Sequence, residues 1–528
     1  MATLSPAAHP ALVPRRHKRR IWIAFAIGFL IGAAVGFYFI SANWPYRYRK
    51  IRPMLEEDLA SKVEVTSYHR TYFPNPGFVA TGLTLHRKSA LNLPPFGHAE
   101  MMVVQGRWSD LLLLRERVQT VEVTGLHIVV PPIGSKANHA NFPPGSSSDF
   151  TGPDTAIEMF KIHNSILEIM KNDGKRLIFP VRELDLANFV KDKAINYSLD
   201  MQNAIPSGRI ESRGTFGPLN AKQMSITPVS GNFTFTTVNL HDVGNIRGTL
   251  SATGQFHGPL GALEAQADSI TPDFAVDEGK PTRVTGSVKC TVNGTNGDVA
   301  LHEIEAHAGS TTIHAIGTVQ GSPKATNLDI DVNAGRAEDV MRPFIHDEVP
   351  VTGFVWLHSH AYLEPDGNGR RFLQRLYVTG TFNVPAERIT DRKTEQNLTA
   401  FSHRAQGKKD SDSSDNPPSS GNADALSSLK GPTKIENGIA SSTHVTFLIP
   451  GAQADLSGTF NFHTKVVHLV GNLRMDTDIS HTATGFKSFL LKPLAPFFKK
   501  KNAGALVPIA VTGGPGHYQV TQDLSHNK

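Results

Sequence analysis

Apolar residues follow two regimes along this chain. Residues 21–40 (IWIAFAIGFLIGAAVGFYFI) contain no ionisable side chain. A helix rises about 1.5 Å per residue, so this run matches the roughly 30 Å hydrocarbon core of a bilayer, and a transmembrane helix is predicted there. Trp22 marks one edge. Tyr38, Trp44, Tyr46 and Tyr48 stand at or beyond the other, where amphipathic rings favour the headgroup zone. A cleaved signal peptide would carry a shorter apolar region, about 7–15 residues, ending in small side chains. This run ends in Phe37-Tyr38-Phe39-Ile40, so a retained anchor is expected. Residues 45–62 then predict a short helix, with Met54, Leu55 and Leu59 on one side and Glu56, Glu57 and Asp58 on the other.

From Val63 onward the period becomes two. Leu126, Ile128 and Val130 alternate with polar or charged neighbours, as do Phe233 and Phe235, and Leu328, Ile330 and Val332. Phe382 and Val384, and Phe460 and Phe462, repeat the pattern, which is that of strands with one buried and one wet face. A Val-Thr-Gly phrase recurs at Val123-Thr124-Gly125, Val284-Thr285-Gly286, Val351-Thr352-Gly353, Val378-Thr379-Gly380 and Val511-Thr512-Gly513. Glycine suits turns, bulges and close backbone approach. The spacing is irregular, so one extended sheet of similar hairpins is expected, not a strict propeller or solenoid. Asn172-Asp173-Gly174 and Asn296-Gly297-Asp298 predict tight hairpin turns.

Residues 157–170 fit either period, because Met159, Ile162, Ile166 and Ile169 also have helical spacing; they are read as two strands broken at Asn164-Ser165. Residues 131–153 and 402–438 are too poor in apolar side chains to form a core. In residues 484–501, Phe486, Phe489, Phe497 and Phe498 are interleaved with Lys487, Lys492, Lys499 and Lys500. An amphipathic helix there would either cap the sheet or lie on an anionic membrane, with the cap favoured.

The net charge of +6 and pI near 9.2 invite a nucleic-acid reading, which its distribution removes. Residues 1–52 hold nine basic and no acidic side chains, so the remaining chain carries a net −3 and no phosphate-tracking face is implied. Arg15, Arg16, Lys18, Arg19 and Arg20 precede the apolar run more tightly than Arg47, Arg49, Lys50 and Arg52 follow it, favouring a cytoplasmic N-terminus. Gly28, Gly32 and Gly36 form a small-residue face suited to close helix packing. The lone Cys290 excludes an internal disulfide and is read as an inert thiol on the apolar side of a strand. His358 and His360 share a strand face, yet no Asp, Glu or Cys next to them in sequence completes a metal-ligand set. No nucleophile elbow, zinc-protease motif or P-loop is present, so neither enzyme activity nor a cofactor is expected.

Several segments resemble the AsmA-like family. They are TYFPNPGFVATGLTLHR (71–87), HAEMMVVQGRWSDLLLLRERVQTVEVTGLHIVV (98–130), RGTFGPL (213–219), ITPDFAV (270–276), VNGTNGDVAL (292–301) and GFKSFLLKPLAPFFKKKNAGALVPIAVTGG (485–514). The resemblance implies a protein of the inner membrane of Gram-negative bacteria, with its bulk in the periplasm. It also implies an elongated β-groove of the bridge-like lipid-transfer type and a role in phospholipid movement and outer-membrane integrity. The expected fold is mainly β: a transmembrane helix, then an elongated, curved antiparallel sheet with few short helices. The expected organisation is a basic tail at 1–20, the anchor at 21–40, and a β-rich domain at 45–401. A linker at 402–438 and a closing β module at 439–528 follow. Alternation alone would also fit a closed sandwich; the resemblance favours the groove. Phe233, Phe235, Leu328, Ile330, Val332, Phe460 and Phe462 are then the candidate lipid-facing residues, and Trp22, Gly28, Gly32, Gly36 and Trp44 those of the anchor. Membrane phospholipids and inner- or outer-membrane proteins are the expected partners. A scaffold for outer-membrane protein assembly that carries no lipid is the alternative.

Overall fold

The structure, a computed structural model, describes residues 44–58, 61–87, 94–113, 117–131, 156–171, 174–190, 192–220, 223–243, 246–321, 324–346, 351–365, 369–389, 427–475, 506–514 and 519–522. Residues 31, 32, 35, 38, 115, 348, 349 and 402 are described singly. The strands of the first half are β1 (Ser61–Thr71), β2 (Gly77–Arg87), β3 (Gly97–Gln105), β4 (Arg117–Thr124), β5 (His127–Val130), β6 (Ala156–Met170), β7 (Arg176–Phe189), β8 (Ile195–Asn203), β9 (Gly208–Phe216), β10 (Pro228–Asn239), β11 (Ile246–Arg247) and β12 (Thr249–Pro259). Then come β13 (Leu263–Val276), β14 (Thr282–Val292), β15 (Val299–Ala308), β16 (Thr311–Val319), β17 (Thr326–Arg336), β18 (Val351–Leu363), β19 (Leu376–Ile389), β20 (Ser427–Glu436), β21 (Ile439–Ile449), β22 (Ala452–Asn461), β23 (Val467–Met475), β24 (Leu506–Gly513) and β25 (Gln519–Gln522). Four short α-helices accompany them among the described residues: α1 (Tyr48–Asp58), α2 (Trp108–Leu112), α3 (Ala337–Met341) and α4 (Phe372–Arg375).

These strands form one long ladder. Each pairs antiparallel with the next, except that β4 and β5 both pair with β3, and β10 pairs with β12 while the two-residue β11 sits on β13. β6 is a further exception, running parallel to β4 and β5, where an all-antiparallel sheet was expected. A parallel crossover needs a connection of a dozen or more residues, and residues 131–155 supply it. Every substantial strand–strand contact is between ladder neighbours. At about 4.8 Å per strand, β1 to β25 span on the order of 100 Å.

The ladder also corrects two boundaries. Ser427–Glu436, assigned to the linker, is strand β20, bonded to β19 on one side and β21 on the other. The closing strands therefore continue the same sheet and are not a separate module. Residues 156–170 form one strand with a kink, since Asn164 adopts a φ of +48° within it.

That kink belongs to a line of irregularities. Gly82 in β2 has φ +62°, and the register of β7 on β8 shifts between Val181 and Glu183. Alternation slips by one residue across the line. Phe78 and Ala80 before Gly82, and Leu83 after it, all join one buried cluster. In β6 the slip is what made the period look helical. The Asn296-Gly297-Asp298 turn is present as expected, with Gly297 at φ +81° and Asn293 N–H donating to Asp298 O at 2.8 Å.

At the N-terminal end, α1 packs on β1, and Tyr46, Ile51 and Tyr68 cover the cluster of Phe78, Val104 and Val121. Met54 of the expected apolar stripe points to solvent, while Leu55 packs beside Val63 and Phe96. Among the described residues no helix is long and apolar enough to cross a membrane. Within 21–40, Ile31, Gly32, Val35 and Tyr38 are helical, and all four are exposed. The rest of that segment, with Trp22, Gly28 and Gly36, lies outside the described residues. So do nearly all of 402–426 and the whole of 484–501, with Phe486, Phe489, Phe497, Phe498, Lys499 and Lys500.

Candidate functional site

Residues directly paired across strands project from the same side of a sheet. Followed strand by strand, the pairing draws one row across almost the whole ladder. It starts at Phe78 (β2) and passes through Val104, Val121, Phe160, Leu186 and Tyr197 (β8). It continues through Gly214, Gly231, Phe256, Ala265, Cys290 and Leu301 (β15). Gly317, Leu328, Ala361, Val378 and Ile435 carry it to β20, and Ala440, Phe460, Val467 and Gly513 to β24. No side chain in the row is charged. Its only hydroxyl, on Tyr197, is 3.0 Å from Ser212 Oγ.

Two further apolar rows run beside it. Phe233 leads through Gly254, Ala267, Val288, Ile304 and Ala315 to Ile330, and Phe235 through Ala252, Ser269, Gly286, Ala306 and Ile313 to Val332, with Ser269 the one polar side chain in the two rows. Phe233, Phe235, Leu328, Ile330, Val332 and Phe460, chosen from alternation alone, thus share one face. The other face is its chemical opposite. One residue from Phe233, the row Thr234, Thr253, Asp268, Ser287, Glu305, His314, Asp331, His358 is wholly polar.

Among the described residues, nothing packs over most of the apolar face. Phe233, Phe256, Val288, Ile304, Leu328 and Phe460 are half-buried where a sandwich core would bury them fully. Between β7 and β10 this face lines a cavity of about 490 Å³, with Leu184, Leu186, Ile195, Phe216 and Val229 in its wall and Met224 at its rim. Cys290 sits in the same face, only partly covered, and burial pushes its thiol pKa up. That agrees with the inert reading.

Three expected site residues need correction. Val332 is only 1% exposed, because α3 lies over it and packs Val340 and Met341 beside Ile313, Leu357 and Phe382. Phe462 lies past the end of β22 in a turn, its N–H bonded to Gly438 O, although its ring still meets Phe460 at 5.3 Å. Trp44 is fully buried, not in a headgroup belt, with its indole 4.7 Å from the Tyr72 ring and 5.6 Å from Trp108.

His358 and His360 do acquire carboxylate neighbours, from β17. His358 Nδ1 is 2.6 Å from Asp331 Oδ1, and His360 Nδ1 is 2.7 Å from Asp329 Oδ1. The hydrogen bond to Asp331, then that group's charge, raises the His358 pKa. These are separate exposed pairs, and among the described residues no group of three His, Cys, Asp or Glu is placed to hold a metal. Sequence reasoning missed these partners because the carboxylates are 27 and 31 residues away and meet the imidazoles only through register.

No family model matches this chain, and no curated protein is similar to it at a significant level.

Proposed function

We propose that this chain is an AsmA-like protein anchored by residues 21–40 in the bacterial inner membrane, its bulk in the periplasm. Its sheet shelters phospholipid acyl chains along a trough, and it catalyses no reaction. The observation that carries the reading is the apolar row from Phe78 to Gly513, which the described residues leave uncovered over much of its length. An apolar surface of that length in water is costly, and burial is worth about 0.8 kcal/mol per CH₂. Acyl chains laid on it gain on the order of tens of kcal/mol relative to water, and almost nothing relative to a bilayer. That balance lets lipid leave as readily as it enters. Bulges increase local twist and bend strands; the register shifts in β7, β10, β13, β17, β18 and β19 support a curled sheet with headgroups along its open side.

Native mass spectrometry of the detergent-purified full chain tests this. Co-purified phospholipid, lost when Ile304 and Leu328 are both changed to Asp, is the expected result. A chain that arrives without lipid would instead favour a scaffold for outer-membrane protein assembly.

A further inference from the structure

We infer that Phe73, Leu112 and Leu113 form a wedge that inserts into the outer leaflet-side surface of the phospholipid bilayer holding the N-terminal segment, beside the start of the apolar row. Phe73 is 86% exposed, Leu112 74% and Leu113 61%. Such exposure of large apolar side chains at one tip marks an interaction site more than a scattered surface residue does. The tip is firmly backed. Gly77 pairs with Gln105, and Gly106 N–H donates to Pro76 O at 2.7 Å, so the β1–β2 turn and α2 stand side by side. The Phe73 ring lies 6.0 Å from Trp108, whose ring meets the buried Trp44 at 5.6 Å, tilted by 58°.

Chain continuity selects a bilayer as the partner. The wedge rests on the same reading of residues 21–40 as an anchor. Trp44 follows the exposed helical Tyr38 by six residues, a reach of at most about 22 Å. The charge around the tip also fits anionic headgroups. Arg107, Arg115 and Arg117 are all substantially exposed. Among the described residues two carboxylates answer them: Glu158, 2.7 Å from Arg107 and 3.6 Å from Arg117, and Asp110, 3.8 Å from Arg115. Arg49 and Lys50 add exposed charge on α1. The apolar row starts at Phe78 in β2, five residues after Phe73, where Tyr46, Ile51 and Tyr68 cover it.

The test uses the full chain with Cys290→Ser, reconstituted in nanodiscs of phosphatidylethanolamine and phosphatidylglycerol. An environment-sensitive fluorophore is attached at Phe73→Cys, Leu112→Cys or, as a control on the polar face, Ile316→Cys. Labels at 73 and 112 are expected to shift to the blue. Lipids spin-labelled near the headgroup should quench them more than deeply labelled ones, as befits insertion of about 5–10 Å. The label at 316 should not respond. Labels at 73 and 112 that behave like the one at 316, in a chain that has entered the disc, overturn the wedge alone. A chain that does not enter the disc overturns the anchor and the wedge together.

Discussion

A Cβ on Gly458 would overlap the carbonyl oxygen of His468 on the neighbouring strand, and its φ of +149° disfavours any L side chain. Gly458→Ala is therefore expected to cost about 1–3 kcal/mol in urea unfolding. Gly286→Ala, in the phrase Val284-Thr285-Gly286 that Leu456-Ser457-Gly458 resembles, meets Glu305 O at 3.1 Å without an unusual φ and should cost less. Equal costs would contradict the assignment. The phrase was legible in the sequence; which glycine is crowded was not, because that depends on how closely the next strand approaches. A second residue-scale expectation concerns His358. Its folded pKa is raised, mainly by the hydrogen bond to Asp331. Its contribution to stability is thus complete below the unfolded value of about 6.5 and fades as pH rises through the folded value. Unfolding of wild type and His358→Gln should differ most in acid and converge in alkali. The pair is exposed, so the difference should be small and weakened by salt. A gap that widens with rising pH would refute the pairing as its source.

At the scale of elements, Asn164 holds β6 in a conformation that glycine adopts freely and β-branched residues adopt poorly. Asn164→Gly should leave stability nearly unchanged, whereas Asn164→Val should lower it by about 1–2 kcal/mol in the same unfolding assay. Tolerance of valine there would mean that the slip in alternation is not built into the strand. The sequence showed the break at this position but not its consequence, since one left-handed residue can redirect a strand without ending it. The α3 helix was not legible at all. Five residues are too few for a periodicity, and its place over Val332 comes from packing where it follows β17 directly. A photoactivatable side chain at 332 should therefore capture less acyl chain than one at 330. Met341→Ser, by loosening the cover, should narrow that difference.

For the whole molecule, period two in the sequence identified which side chains share a face and left open what covers them. A sandwich and an open sheet write the same alternation, because each strand sees only one apolar and one wet side. The answer lies in the ladder, where strands touch their neighbours and no second layer of sheet packs over the face among the described residues. The parallel step at β6 was hidden for a similar reason: strand direction leaves no mark on alternation. Charge, by contrast, was readable at this scale from the start. The basic residues crowd at 1–52, and the ladder's polar face mixes Asp, Glu, His and Lys.

The central claim, that acyl chains ride on the apolar face alone, is tested most directly by photocrosslinking at paired positions one residue apart. A photoactivatable amino acid is placed in the full-length chain at Phe233, Ile304, Leu328 or Phe460, and at Thr234, Glu305, Asp329 or Thr459. Phospholipid adducts are then read by mass spectrometry. Adducts are expected at the first four positions and none at the second four. Adducts on both faces alike, or on neither, would contradict the claim.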